Sequence, residues 1–144
     1  MPLFEIPDDE LVFPDPSLAE RGDDCNGLLG IGGDLSIDRL LLAYRHGIFP
    51  WYDPSTPILW WSPDPRFVIY PEELHVSRRL ARTIRQGRFT VTLDRAFAEV
   101  IVGCASVPRK GQRDTWITDE MIEAYTRLHE AGHAHSCEAW LEGE

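Results

Sequence analysis

Gly47 to Tyr52 reads GIFPWY, and Ile58 to Pro65 reads ILWWSPDP. Between Ile48 and Pro65 stand three Trp, one Phe, one Tyr and five Pro. Proline fixes φ and the aromatic rings carry large rigid apolar areas, so this segment is too stiff to be a flexible linker. An ordered, partly buried loop is expected. Trp51, Trp60 and Trp61 then suit two roles. Large aromatics dominate burial in small domains, which makes all three fit for a core. Flat indoles on a proline-stiffened backbone equally suit the stacking of a nucleobase, worth about 1–3 kcal/mol per base.

Upstream of this segment, residues 1 to 34 are rich in Asp, Pro and Gly, with turn-forming clusters at FPDP (Phe13 to Pro16) and GDDCNG (Gly22 to Gly27). They predict loops with at most one short strand. Gly30, Gly32 and Gly33 are expected as turn glycines, since no strand-turn-helix unit with a following acid makes them a dinucleotide fingerprint. Ser36 is a good N-cap, and Ile37, Leu40, Leu41 and Tyr44 recur at i, i+3, i+4 and i+7. Those spacings predict an amphipathic helix that stops at Gly47.

Downstream, the pattern predicts a strand over Arg66 to Tyr70 and a helix capped by Ser77 that ends at Gly87. FTVTL (Phe89 to Leu93) alternates as a strand, and Asp94 is placed to cap a helix carrying Phe97, Val100 and Ile101. Residues 105 to 114 form a polar, basic loop. Thr118 opens a last helix whose first turn holds Asp119 and Glu120, where acids suit the positive end of the helix dipole. From His133 to Leu141 the alternation is that of a strand, with no visible hairpin partner after it. The chain therefore divides near Ser62 to Pro65. Residues 1–64 make a loop-rich N-terminal α+β domain, and residues 65–144 a second unit of β-α-β-α-α-β order.

Charge sets the limits on partners. The net charge is −10, so nucleic acid can be held only by a local basic patch. One exists: His75 to Arg88 contains five arginines and no acid. Arg78, Arg82 and Arg85 share one helical face by their i, i+4, i+7 spacing, with Leu80, Ala81 and Ile84 opposite. Such a face either keeps the protein solvated or tracks a phosphate backbone. Trp116, at a helix entry, either packs on the helix or closes a pocket. His133, His135 and Cys137 fall on one strand face, yet spacing alone supplies neither a fourth ligand nor supporting contacts, and no metal is expected. Cys25, Cys104 and Cys137 are scattered without a C-x-x-C pair, which points to a reducing cytoplasm. No apolar run is long enough for a membrane span, and Met1 to Glu10 has no basic start followed by an apolar core, so no export signal is expected. No Ser-His-Asp or Cys-His arrangement can be assigned, so the catalytic residues are unknown from this pattern.

NGLLGIGGDLS (Asn26 to Ser36), GIFPWY, ILWWSPDPR (Ile58 to Arg66), TWIT (Thr115 to Thr118) and YTRLHEAGHAHSCEAW (Tyr125 to Trp140) together resemble the leucyl/phenylalanyl-tRNA-protein transferases. The resemblance covers the chain from near Phe13 onward. It implies an aminoacyltransferase that moves Leu, Phe or in some members Met from aminoacyl-tRNA to proteins beginning with Arg or Lys, marking them for degradation. It also implies a small N-terminal domain joined to a GNAT-like acyltransferase domain, with no cofactor. By matching motif positions, Trp51 and Trp116 would hold the 3′-terminal adenosine, and Arg78, Arg82 and Arg85 would bind tRNA. Family members continue past the segment matching His133 to Trp140, so an incomplete GNAT-like domain is expected. The competing expectation is a truncated, catalytically inactive tRNA-binding module.

Overall fold

The computed structural model describes residues 3–22, 25–107 and 115–141. It is an α+β chain with two sheets and four α-helices among those residues. The first sheet contains β1 (Phe4–Ile6), β2 (Leu28–Gly32), β3 (Phe49–Pro50) and β4 (Leu59–Trp61), in the order β1-β2-β4-β3. β1 runs parallel to β2, and the β2–β4 and β4–β3 pairs are antiparallel. The Gly/Pro-rich start thus yields two strands rather than at most one. Gly30 is no turn residue: a Cβ there would meet Ile6 Cδ1 at 2.8 Å and the Phe4 carbonyl at 3.1 Å, so only glycine lets β1 lie this close to β2.

Helix α1 (Ile37–Arg45) follows the predicted signals, with the Ser36 side chain accepting from Arg39 N–H and Gly47 taking a left-handed φ of 72° beyond its end. Its buried residues are Arg39, Leu40 and Ala43. Arg39 is 1% exposed. Its guanidinium donates to the carbonyls of Pro7 (2.9 Å) and Glu10 (3.2 Å) and to Asp34 (3.2 Å), tying the segment after β1 to the helix. That satisfies most of a buried charge, although Nε finds no partner among the described residues.

The aromatic segment is more regular than a loop, because its two halves pair as the β3–β4 hairpin. Alternation along the strands sends neighbouring rings to opposite faces. Trp60 is 0% exposed, donates from Nε1 to the Gly32 carbonyl at 2.8 Å and meets Phe13 edge-on. It anchors a core that also takes Leu29, Leu40, Ala43 and Ile48, together with Met121, Ala124 and Leu128 of α4 (Asp119–Glu130). Thr118 caps α4 as expected, accepting from Met121 N–H.

Arg66 to Tyr70 is not a strand. A strand exists only through a ladder, and this stretch pairs with nothing among the described residues; Phe67, Ile69 and Tyr70 are all exposed. Helix α2 (Arg78–Arg85) forms with its Ser77 cap but buries none of its residues. β5 (Phe89–Leu93) pairs antiparallel with β6 (Cys137–Leu141), from Phe89↔Leu141 to Leu93↔Cys137, so β6 has the partner that its sequence context hid. Asp94 is not a helix cap. It holds a φ of 56° and turns its carboxylate to His135 Nδ1 (2.7 Å) and Ser136 N–H (2.9 Å), while α3 (Phe97–Ser106) starts after Ala96 and runs through Gly103. Residues 108–114 of the expected basic loop lie outside the described residues. No helix among those described is long and apolar enough to cross a membrane.

Candidate nucleic-acid interface

Opposite the buried Trp60 face, the β3–β4 hairpin presents Phe49, Trp51 and Trp61. Phe49 and Trp61 are register partners, and Trp51 extends the ladder by donating its N–H to the Leu59 carbonyl at 2.9 Å. The Trp51 and Trp61 rings lie 5.5 Å apart at 57°, and Trp61 Nε1 donates to the Trp51 carbonyl at 2.6 Å. Trp61 thereby clamps the backbone of its neighbour, yet Trp51 itself remains 50% exposed. The guanidinium of Arg66 lies over the Phe49 ring, 4.9 Å from its centroid, and donates to the Gly47 carbonyl at 2.9 Å. The pleat divides the tryptophans by burial alone: Trp60 goes inward and Trp51 outward.

Trp116 is half-buried against the core and lines a cavity of ≈ 200 Å³ between α3 and α4, with Phe97, Val100, Ile101 and Met121 around it. Trp51 does not line that cavity. Tyr125 does, and its hydroxyl shares a hydrogen bond with that of Tyr44 from α1. Burial is the first cause that pushes both phenols above their ordinary pKa, so both stay neutral. Tyr125 escaped the sequence analysis because its helical spacing from Met121 reads as packing alone. Arg78, Arg82 and Arg85 are all exposed on α2.

A groove of ≈ 560 Å³ separates the loop after Trp51 from the start of α4, lined by Tyr52, Thr56, Thr118 and Glu120 among others. Tyr52 donates its hydroxyl to Glu120 at 2.9 Å; burial first, and the carboxylate beside it, push its pKa up to about 12. Beyond α4, Glu138 is 6% exposed and accepts from the Ser136 and Thr92 hydroxyls and from Ala96 N–H at 3.3 Å. Those hydrogen bonds, that of Ser136 foremost, hold its carboxyl below the ordinary range. Of the three residues weighed as metal ligands, His135 is engaged by Asp94, and Cys137 is exposed and free.

Fold and site together describe an α+β protein with a rigid aromatic face edged by a cation. Residues 68–144 match the model of the leucyl/phenylalanyl-tRNA protein transferase family, and residues 33–64 match that of its N-terminal domain. Among similar proteins are the leucyl/phenylalanyl-tRNA–protein transferases of Solidesulfovibrio magneticus, 63% identical over the whole chain and 56% of the relative, and of Anaeromyxobacter sp. strain Fw109-5, 61% identical over the whole chain and 59% of the relative. The corresponding protein of Syntrophobacter fumaroxidans is 58% identical, again across the whole chain and 59% of the relative. The chain belongs to the leucyl/phenylalanyl-tRNA protein transferase family. It spans 56–59% of the length of these three relatives.

Proposed function

We propose that this chain holds the 3′ end of aminoacyl-tRNA for transfer of Leu or Phe to the α-amino group of proteins beginning with Arg or Lys, in the cytoplasm. In that reaction the amine attacks the ester carbonyl, a C–N bond forms, and the ribose oxygen leaves and takes up a proton. An activated ester needs positioning more than a covalent enzyme nucleophile, which agrees with a site assembled from rings and cations. Trp51 and Trp116 bind the terminal adenosine, and Arg78, Arg82 and Arg85 bind the tRNA body through its phosphates. The structural units proposed are an N-terminal domain over residues 1–64 and a GNAT-like unit over residues 65–144. The pairing of β5 with β6, with α3 and α4 between them in sequence, supports the latter.

Half-exposed Trp51 is the observation that carries this reading: a large indole, fixed through Trp61 and left open to solvent, is pre-organised to stack on a base. Titrating the protein with phenylalanyl-adenosine by tryptophan fluorescence tests it. Trp51→Ala and Trp116→Ala should each weaken binding about tenfold or more, the loss of roughly one stacked ring. Binding unchanged in both variants removes the adenosine role. A transfer assay with Phe-tRNA and an Arg-starting peptide separates an active transferase from a chain that binds tRNA and transfers nothing.

A further inference from the structure

Arg66 is the best-fixed cation on the aromatic face, and the role assigned to Trp51 does not use it. Its guanidinium is held from two sides, by the Gly47 carbonyl and by the Phe49 ring, so its plane is set before any ligand arrives. The other guanidinium N–H groups make no hydrogen bond to a described residue, and no described carboxylate pairs with it, in a chain whose net charge is −10. A fixed, unneutralised guanidinium with free donors suits an oxyanion that can accept two parallel N–H bonds. Its place matters as much as its charge. Phe49 and Trp61 are cross-strand partners and Trp61 touches Trp51, so the cation closes a row of rings that begins at the proposed base platform. Each step along the row is about 5 Å, from Trp51 to Trp61 (5.5 Å), across the ladder to Phe49 and on to Arg66 (4.9 Å from that ring), so the cation stands three contacts from the platform, a span for a strand of more than one nucleotide.

We propose that Arg66 binds a backbone phosphodiester of the strand that leads to a nucleobase stacked on Trp51, making the hairpin face a reader of a strand end and not of a lone nucleoside. This rests on the adenosine role proposed for Trp51.

The test compares the tetranucleotide ACCA with adenosine, by tryptophan fluorescence in increasing salt, on the full chain. Arg66→Gln should weaken ACCA about tenfold, the loss of a charge-assisted hydrogen bond, and should leave adenosine within about twofold. The slope of log K against log salt should fall by about 0.7, one phosphate contact on a single strand. Arg66→Lys should retain the slope and lose part of the affinity. A ligand-side measurement removes any dependence on variant folding: ACCA with neutral methylphosphonates at its linkages should bind wild type no more tightly than unmodified ACCA binds Arg66→Gln. Equal binding of the two oligonucleotides by wild type, with Trp51→Ala still weakening both, overturns the phosphate contact and leaves the platform intact. If Trp51→Ala is also without effect, the platform itself fails, and the Arg66 proposal with it.

Discussion

Replacing Arg39 by Met keeps most of the buried stem and removes every hydrogen bond of the guanidinium, which isolates the polar part of its role. Its donors reach the carbonyls of Pro7, Asp8 and Glu10 and the carboxylate of Asp34. A hydrogen bond to a charged group contributes about 1.5–3 kcal/mol net. Two corrections lower the sum. Asp34 is 44% exposed, so its ion pair is screened and adds under about 1 kcal/mol; Asp8 and Glu10 are exposed, so their released carbonyls can take water instead. The loss should therefore be about 1.5–3 kcal/mol, carried mainly by the Pro7 contact, with the uncompensated burial of Nε partly offsetting it. Urea unfolding followed by tryptophan fluorescence measures this as a lower midpoint at unchanged slope. Limited proteolysis supplies the local readout, because the segment from Pro7 to Glu10 loses its tether and should be cut faster. Arg39→Lys, with one ammonium in place of a planar fork, should fall between wild type and Met. A midpoint for Arg39→Met within about 0.5 kcal/mol of wild type, with unchanged cutting at residues 7–10, would refute the tether.

Gly30→Ala should destabilise by about 1–3 kcal/mol through overpacking against Ile6, and Ile6→Val, which removes the nearer Cδ1, should recover part of that loss in the double variant; additive losses would show that the two positions do not touch. Glu138 has a folded pKa below its ordinary value, so its contribution to stability is present above about pH 4.5 and is lost as pH falls through the folded pKa. Thermal melts of wild type should therefore fall off on acidification from pH 5 to 3 more steeply than those of Glu138→Gln, and parallel curves would exclude Glu138 as the titrating group. Trp60→Ala should cost about 3–5 kcal/mol by emptying a fully buried site, whereas Trp51→Ala should change stability little; similar unfolding midpoints for the two variants would contradict their assignment to opposite faces of the hairpin.

Much of this was legible in local sequence. Ser36, Ser77 and Thr118 mark the starts of α1, α2 and α4 because a cap is a contact between residues three apart, and such spacing survives in one dimension. FTVTL became β5 for the same reason of periodicity. The failures share the opposite cause. Arg66 to Tyr70 has strand composition but no edge to join, and β6 looked unpartnered although its partner begins at Phe89, across two intervening helices. Asp94 carries a good capping side chain, yet a more distant pair, His135 and Ser136, takes it. Glu138 and Arg39 are charged residues that composition places outside; only the hydroxyls and carbonyls converging on them make their burial tolerable.

The candidate site follows the same division. By itself the sequence determined that Gly47 to Pro65 would be stiff, aromatic and ordered, since proline geometry and ring area are local properties, and it carried the motifs that mark the family. It could not assign the three tryptophans. Tertiary structure did so by pairing Phe49 with Trp61 and Pro50 with Trp60, because that register sends Trp60 to the core and leaves Trp51 and Trp61 on the open face beside Arg66. A shift of one residue would exchange those faces; the ladder to β2 and the burial of Trp60 against Phe13 and the Gly32 carbonyl, both outside the segment, hold the register.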